Sequence, residues 1–142
     1  MLPLLLLIGS SILLLEGSPI LTQSVREGGG LPFGTLVAWV GIIMVPCSIL
    51  VGIRLIRKPI SPVYRFYNRA FLGLTIFSSL WGGVSYLLAG NWAFIFSESE
   101  KFRGSEQAGS VFMYYTGILI SLTLLLFLAF GIHHLYIQIK KK

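Results

Sequence analysis

Three long stretches of this chain carry no charged residue, and nothing else in the sequence limits its fold as strongly. They cover residues 35–53, 70–90 and 111–132. As α-helices, at ~1.5 Å rise per residue, each reaches across a bilayer hydrocarbon core of about 30 Å. Inside lipid a backbone has no water to satisfy its N–H and C=O groups, so an isolated apolar run must be helical. The composition agrees: 55% of the residues are hydrophobic and 11% charged, against about 25% charged in an ordinary soluble domain. There is too little polar sequence to cover a soluble globule. The expected fold class is an all-α integral membrane protein. It forms one membrane domain over residues 1–142, a small helical bundle of three transmembrane helices plus a shorter N-terminal helix.

The charges orient this bundle. Arg54, Arg57, Lys58, Arg65 and Arg69 lie between the first and second runs, and Lys140, Lys141 and Lys142 follow the third. All five acidic residues, Glu16, Glu27, Glu98, Glu100 and Glu106, fall on the other side, with only Arg26, Lys101 and Arg103 for company. Short loops rich in Lys and Arg stay cytoplasmic. The basic loop 54–69 and the basic tail 133–142 are therefore expected inside, on the stromal or matrix side if the membrane is organellar. The acidic loop 91–110 is expected outside. This distribution also accounts for the net charge of +6, so no nucleic-acid partner is expected.

Residues 2–15 form a Leu-rich run, short for a full span and comparable to a signal-peptide core. No Lys or Arg precedes it, no Ala-x-Ala follows, and Pro19 sits directly after Gly17-Ser18. The segment 1–16 is read as a retained helix or signal anchor, which gives four spans with the N-terminus inside. Its removal would leave three. The following connector, 17–33, contains Gly28, Gly29, Gly30 and Pro32 and reads as a flexible linker.

Small residues recur at helical spacing in every span. Gly34, Ala38 and Gly41 share one face of the first. Ser78, Gly82 and Ser85 share one face of the second, and Gly117 and Ser121 form a step in the third. Lipid gives helices no hydrophobic drive to associate, so close backbone approach at such faces is how they pack. Pro46 removes a backbone donor in mid-span and is expected to kink that helix or mark a repacked turn. Trp81 falls near mid-membrane, where its indole N–H needs a protein partner. Asn91 and Trp92 are placed at the outer interface.

The segment 54–69 reads RLIRKPISPVYRFYNR. Pro59 and Pro62 make it an elbow. Its five basic residues, Arg54, Arg57, Lys58, Arg65 and Arg69, interleave with Tyr64, Phe66 and Tyr67 as contacts for lipid headgroups. The stretch Lys58-Pro59-Ile60-Ser61-Pro62 with Arg65 is similar to a Pro-Leu-Ser-Pro stretch before the first span of succinate dehydrogenase cytochrome b subunits. It covers under a tenth of the chain, follows a span here, and lacks that family's Ser-x-x-His-Arg motif, so no function is carried over.

Catalytic sets are not visible. The chain has no Asp, one cysteine (Cys47), and only two histidines, His133 and His134, both at the inner end of the last span. A Ser–His–Asp arrangement cannot be built from these residues, and no charged residue sits within the three runs to carry protons. Glu98, Glu100 and Glu106 read as a solvated loop. His133 and His134 are the side chains placed to give an axial ligand to a haem or a chlorophyll magnesium, although the sequence demands no cofactor. The chain is thus read as a non-enzyme. The function expected is an accessory or assembly subunit of a larger respiratory or photosynthetic membrane complex, with other transmembrane subunits and lipids as partners. The alternative is a small homo-oligomeric transporter, flippase or channel.

Overall fold

The structure of the chain, a computed structural model, describes residues 2–25, 31–89, 92 and 106–140. The glycines 28–30, Asn91, the stretch 93–105 and the final Lys141 and Lys142 lie outside the described residues. Among the described residues six α-helices follow one another: α1 (Leu2–Glu16), α2 (Phe33–Gly52), the single turn α3 (Arg54–Arg57), α4 (Pro62–Ser79), α5 (Trp81–Ala89) and α6 (Glu106–Lys140). Three helical stretches are long and apolar enough to cross a membrane: Phe33–Gly52, Pro62–Leu88 and Gly109–Lys140. α1, with 15 residues, is shorter, about 22 Å.

α1 and α2 form an antiparallel hairpin. Gly17 ends α1 in the left-handed region at φ 61°, the conformation glycine adopts without a Cβ penalty. The described parts of the connector, 17–25 and 31–32, carry local structure. A 3-10 turn at Pro19–Thr22 buries Leu21, and Ser24 and Pro32 then form an isolated bridge. Val25 N–H bonds to the Leu31 carbonyl at 2.9 Å and Phe33 N–H to the Gln23 carbonyl at 2.8 Å. From there α2 runs through the buried Pro46 without interruption to Gly52.

The second span departs from the expected limits at both its start and its middle. Residues 62–69 are helical, because Ser61 caps α4 by accepting from Tyr64 N–H and Pro62 takes the first turn, where its missing donor costs nothing. Charged Arg65 and Arg69 lie on the exposed face of this helix, while Tyr64, Tyr67, Phe71 and Ser78 line its buried face. The span then breaks at Leu80. Three hydroxyls in a row bond back into the helix: Thr75 to the Phe71 carbonyl at 2.8 Å, Ser78 to Leu74 at 2.6 Å and Ser79 to Ile76 at 2.7 Å. Such back-bonding bends helices, and Gly82 and Gly83 follow at once. The break leaves the Phe77 carbonyl to accept both the Leu80 N–H and the hydroxyl of Tyr115 on α6.

α6 is one straight run of 35 residues. It begins within the segment expected as loop and carries His133 and His134 on helix rather than on a free tail. Two cores hold it. One core joins Ala38, Ile42, Trp81, Phe112 and Leu119. The other, at the basic end, joins Ile56, Tyr64, Tyr67, Phe71 and Phe130. Even so, only 17% of the apolar window of this span is buried inside the chain, against 39% for α2.

Candidate functional site

At the basic end of the bundle α4 and α6 build a dense aromatic–imidazole cluster. Tyr64 stands at its centre. Its hydroxyl shares a 3.0 Å hydrogen bond with His134 Nδ1, and its ring lies 5.9 Å from Phe130 and 6.1 Å, edge-on, from His133. Phe130 stacks parallel to His134, centroids 6.0 Å apart, and meets Tyr67 edge-on at 5.4 Å. Neighbouring helical residues diverge by about 100°, yet Tyr64 is large enough to touch both histidines. The bond to Tyr64 orients the ring of His134; in the tautomer whose Nδ1–H donates to the Tyr64 hydroxyl, Nε2 keeps the lone pair an axial ligand needs, the arrangement by which an orienting partner holds a metal-binding imidazole. His133 differs: its Nε2 is buried with no hydrogen-bond partner among the described residues. No group of three or more His, Cys, Asp or Glu among the described residues could hold a metal ion.

Tyr64 and Tyr67 are central here, although the sequence pattern placed them among the headgroups. Both are buried. Their three-residue spacing on a helix that starts with Ser61-Pro62 was the available signal. Asn68 fastens the same end by donating from Nδ2 to the Ile56 carbonyl of α3 at 2.9 Å. The five expected headgroup contacts, Arg54, Arg57, Lys58, Arg65 and Arg69, are all exposed around this cluster.

The small-residue faces have two fates. Gly34, Ala38 and Gly41 are buried, and a Cβ at Gly41 would stand 3.4 Å from the Ser10 Cβ of α1. Ser78 and Ser85 are fully buried, and the ring of Trp39 on α2 fills the space a Gly82 Cβ would take. The Gly82 carbonyl also accepts from Ser85 Oγ at 3.0 Å and from Trp92 Nε1 at 2.8 Å. Trp92 therefore folds back onto the bundle, and its own carbonyl accepts from Thr35 Oγ1 at 2.6 Å. Trp81 is buried against Phe112 and Tyr115, at 5.3 and 5.1 Å. Gly117 and Ser121, in contrast, are exposed. They lie in a shallow hollow of about 390 Å³ with Met113, Tyr114, Ile118 and Leu122.

Two further cavities follow the seam between the α1–α2 hairpin and α6. One, of about 420 Å³, is lined by Leu14 and Phe112 toward one end and by Val45 and Ile120 toward the other. The other, of about 460 Å³, is lined by Ser48, Phe127 and, at the basic end, Arg57. No protein-family model matches the chain, and neither a curated protein nor a solved structure is detectably similar to it. What the fold defines is an all-helical chain that has, among the described residues, three helices long and apolar enough to cross a membrane.

Proposed function

We propose that this chain is a non-catalytic accessory or assembly subunit of a larger membrane complex, with its basic end on the cytoplasmic side. It attaches through the outward face of α6, where the Gly117–Ser121 step receives a transmembrane helix of another subunit. The observation that carries the reading is the contrast among the small-residue faces. Those of α2 and of α4–α5 are filled by Ser10 and Trp39 of the same chain, whereas Gly117 and Ser121 remain exposed. Small residues at four-residue spacing allow close helix approach in lipid, and this step does so for no helix among the described residues. The His134–Tyr64 pair would sit at the inner membrane edge, about 20 Å along α6 from Ser121, available to a bound pigment or haem brought by a partner.

The test is extraction from the native membrane in mild detergent, followed by native mass and identification of co-migrating chains. The reading predicts a hetero-complex that Gly117→Leu disperses while the chain itself stays folded. A homogeneous monomer would refute it. A homo-oligomer would transfer the reading to a self-assembling transporter or channel.

A further inference from the structure

The two seam cavities share no lining residue but follow one another along the same three helices, and together they mark out a track. On the α6 side its wall is Phe112, Thr116, Ile120 and Phe127, positions that share one helical face at steps of four, four and seven. From Phe112 to Phe127 this is about 22 Å along the axis, most of the depth of a hydrocarbon core. The hairpin side is lined at the basic end by Leu4, Ile49 and Gly52. Nothing lies within 4 Å of a Cβ placed on Gly52, so the track is open there. Its walls are mostly apolar, with Ser10, Ser11 and Thr116 in the first cavity and Ser48 in the second. Ser48 offers little polarity, because its hydroxyl is already donated to the Val45 carbonyl at 2.9 Å.

One charged side chain lines this track, Arg57, at its basic mouth. Arg57 is exposed, and no ion pair engages it among the described residues. Glu16, at the far end of α1, is about 20 Å from the turn of α1 that lines the mouth. The charge at the mouth is thus uncompensated, and the chain beneath it presents a groove for hydrocarbon. An anionic headgroup attached to an acyl chain satisfies both at once. A guanidinium pairs with phosphate in a bidentate fork, and the exposed cations Arg54 and Lys58 on the same turn raise the local positive potential.

We infer that the seam between the α1–α2 hairpin and α6 is a binding site for an anionic phospholipid, with its phosphate at Arg57 and one acyl chain along the groove toward Ile120. The site uses a different set of α6 residues from the Gly117–Ser121 step, turned from it by about 115° around the helix. A lipid held there supports the one long helix that the rest of the chain buries least.

The experiment is native mass spectrometry of the purified full chain, titrated with dioleoyl phosphatidylglycerol or with phosphatidylcholine of the same chains. Phosphatidylglycerol should be retained about fivefold more strongly, the worth of one cation at an anionic surface. Arg57→Gln should abolish that preference, Arg57→Lys should keep part of it, and Lys140→Gln, exposed at the end of α6 about 20 Å along the helix from Phe127, should leave it intact. Gly52→Leu should reduce retention of both lipids by blocking the groove while preserving the preference. Millimolar inorganic phosphate should displace neither lipid. Equal losses from Arg57→Gln and Lys140→Gln would show diffuse attraction and overturn the site. So would unchanged binding in Gly52→Leu, displacement by inorganic phosphate, or equal retention of the two lipids by the unaltered chain. Melting temperatures of the variants, matched to the parent, keep a folding defect from imitating either loss.

Discussion

Gly82 and Gly117 carry the same local signal, a small residue followed three or four positions on by a serine, yet they stand in opposite surroundings. Gly82 lies under the ring of Trp39, and a single added carbon would have no room. Gly117 meets nothing within 4 Å. The difference comes from distant sequence: α2 brings an indole to Gly82, and no described element comes to the outer face of α6. A small-residue step is therefore a vacancy that the fold either fills or leaves open. In this chain the hairpin and the broken second span fill theirs, and α6 keeps one open.

The most damaging way to probe the filled side is Gly82→Ala. Its Cβ collides with a rigid ring, and overpacking of this kind costs about 1–3 kcal/mol. A lowered melting temperature is expected, and Trp39→Leu in the same chain should restore much of the loss by removing the ring. Additive destabilisation would mean that Trp39 and Gly82 do not meet. The partner contact at Gly41 permits a sharper check. The Cβ separation of 3.4 Å from Ser10 sits at the edge of the ~3.5–4.5 Å found across disulfides. Ser10→Cys with Gly41→Cys, in a Cys47→Ser background, should oxidise within one chain and shift its mobility on a non-reducing gel. Failure to close would separate α1 from α2.

Smaller effects are expected at the inner cluster. Tyr64→Phe keeps the ring packing and removes the bond to His134, a loss of about 1 kcal/mol. A double-mutant cycle with His134→Ala should return a coupling of that order. Zero coupling would detach the histidine from the tyrosine. The smallest effect on stability belongs to Gly117→Leu. The added side chain enters open space, so the melting temperature of the isolated chain should be unchanged while co-purifying subunits are lost.

How much of this was legible beforehand follows from the range of each interaction. The uncharged runs reported the three long helices directly, because the requirement that lipid imposes on a backbone is local. The elbow at Pro59 and Pro62 was equally local. The start of α4 at Pro62 was obscured by Arg65 and Arg69, which resemble loop residues until one notes that a helix end can carry cations whose stems lie along apolar surface. The break at Leu80 was written in Thr75, Ser78 and Ser79, but as several weak back-bonds rather than one proline. Pro46 sent the stronger signal and interrupted nothing. At the candidate site the histidines were visible as the only ones present. The burial of Tyr64 and Tyr67 was not, since it depends on Phe130 and His133, more than sixty residues away in sequence. Separations of 43 and 31 residues likewise hide Trp39 from Gly82 and Ser10 from Gly41.

The account turns on α6 having one face left open for another chain, and cysteine cross-linking in the native membrane tests that most directly. In a Cys47→Ser background, Ser121→Cys should cross-link to a different polypeptide, while a cysteine at Ser78, fully buried, should not react. Cross-linking of Ser121→Cys to no other chain, with Ser78→Cys reactive instead, would reverse the two faces and contradict the account.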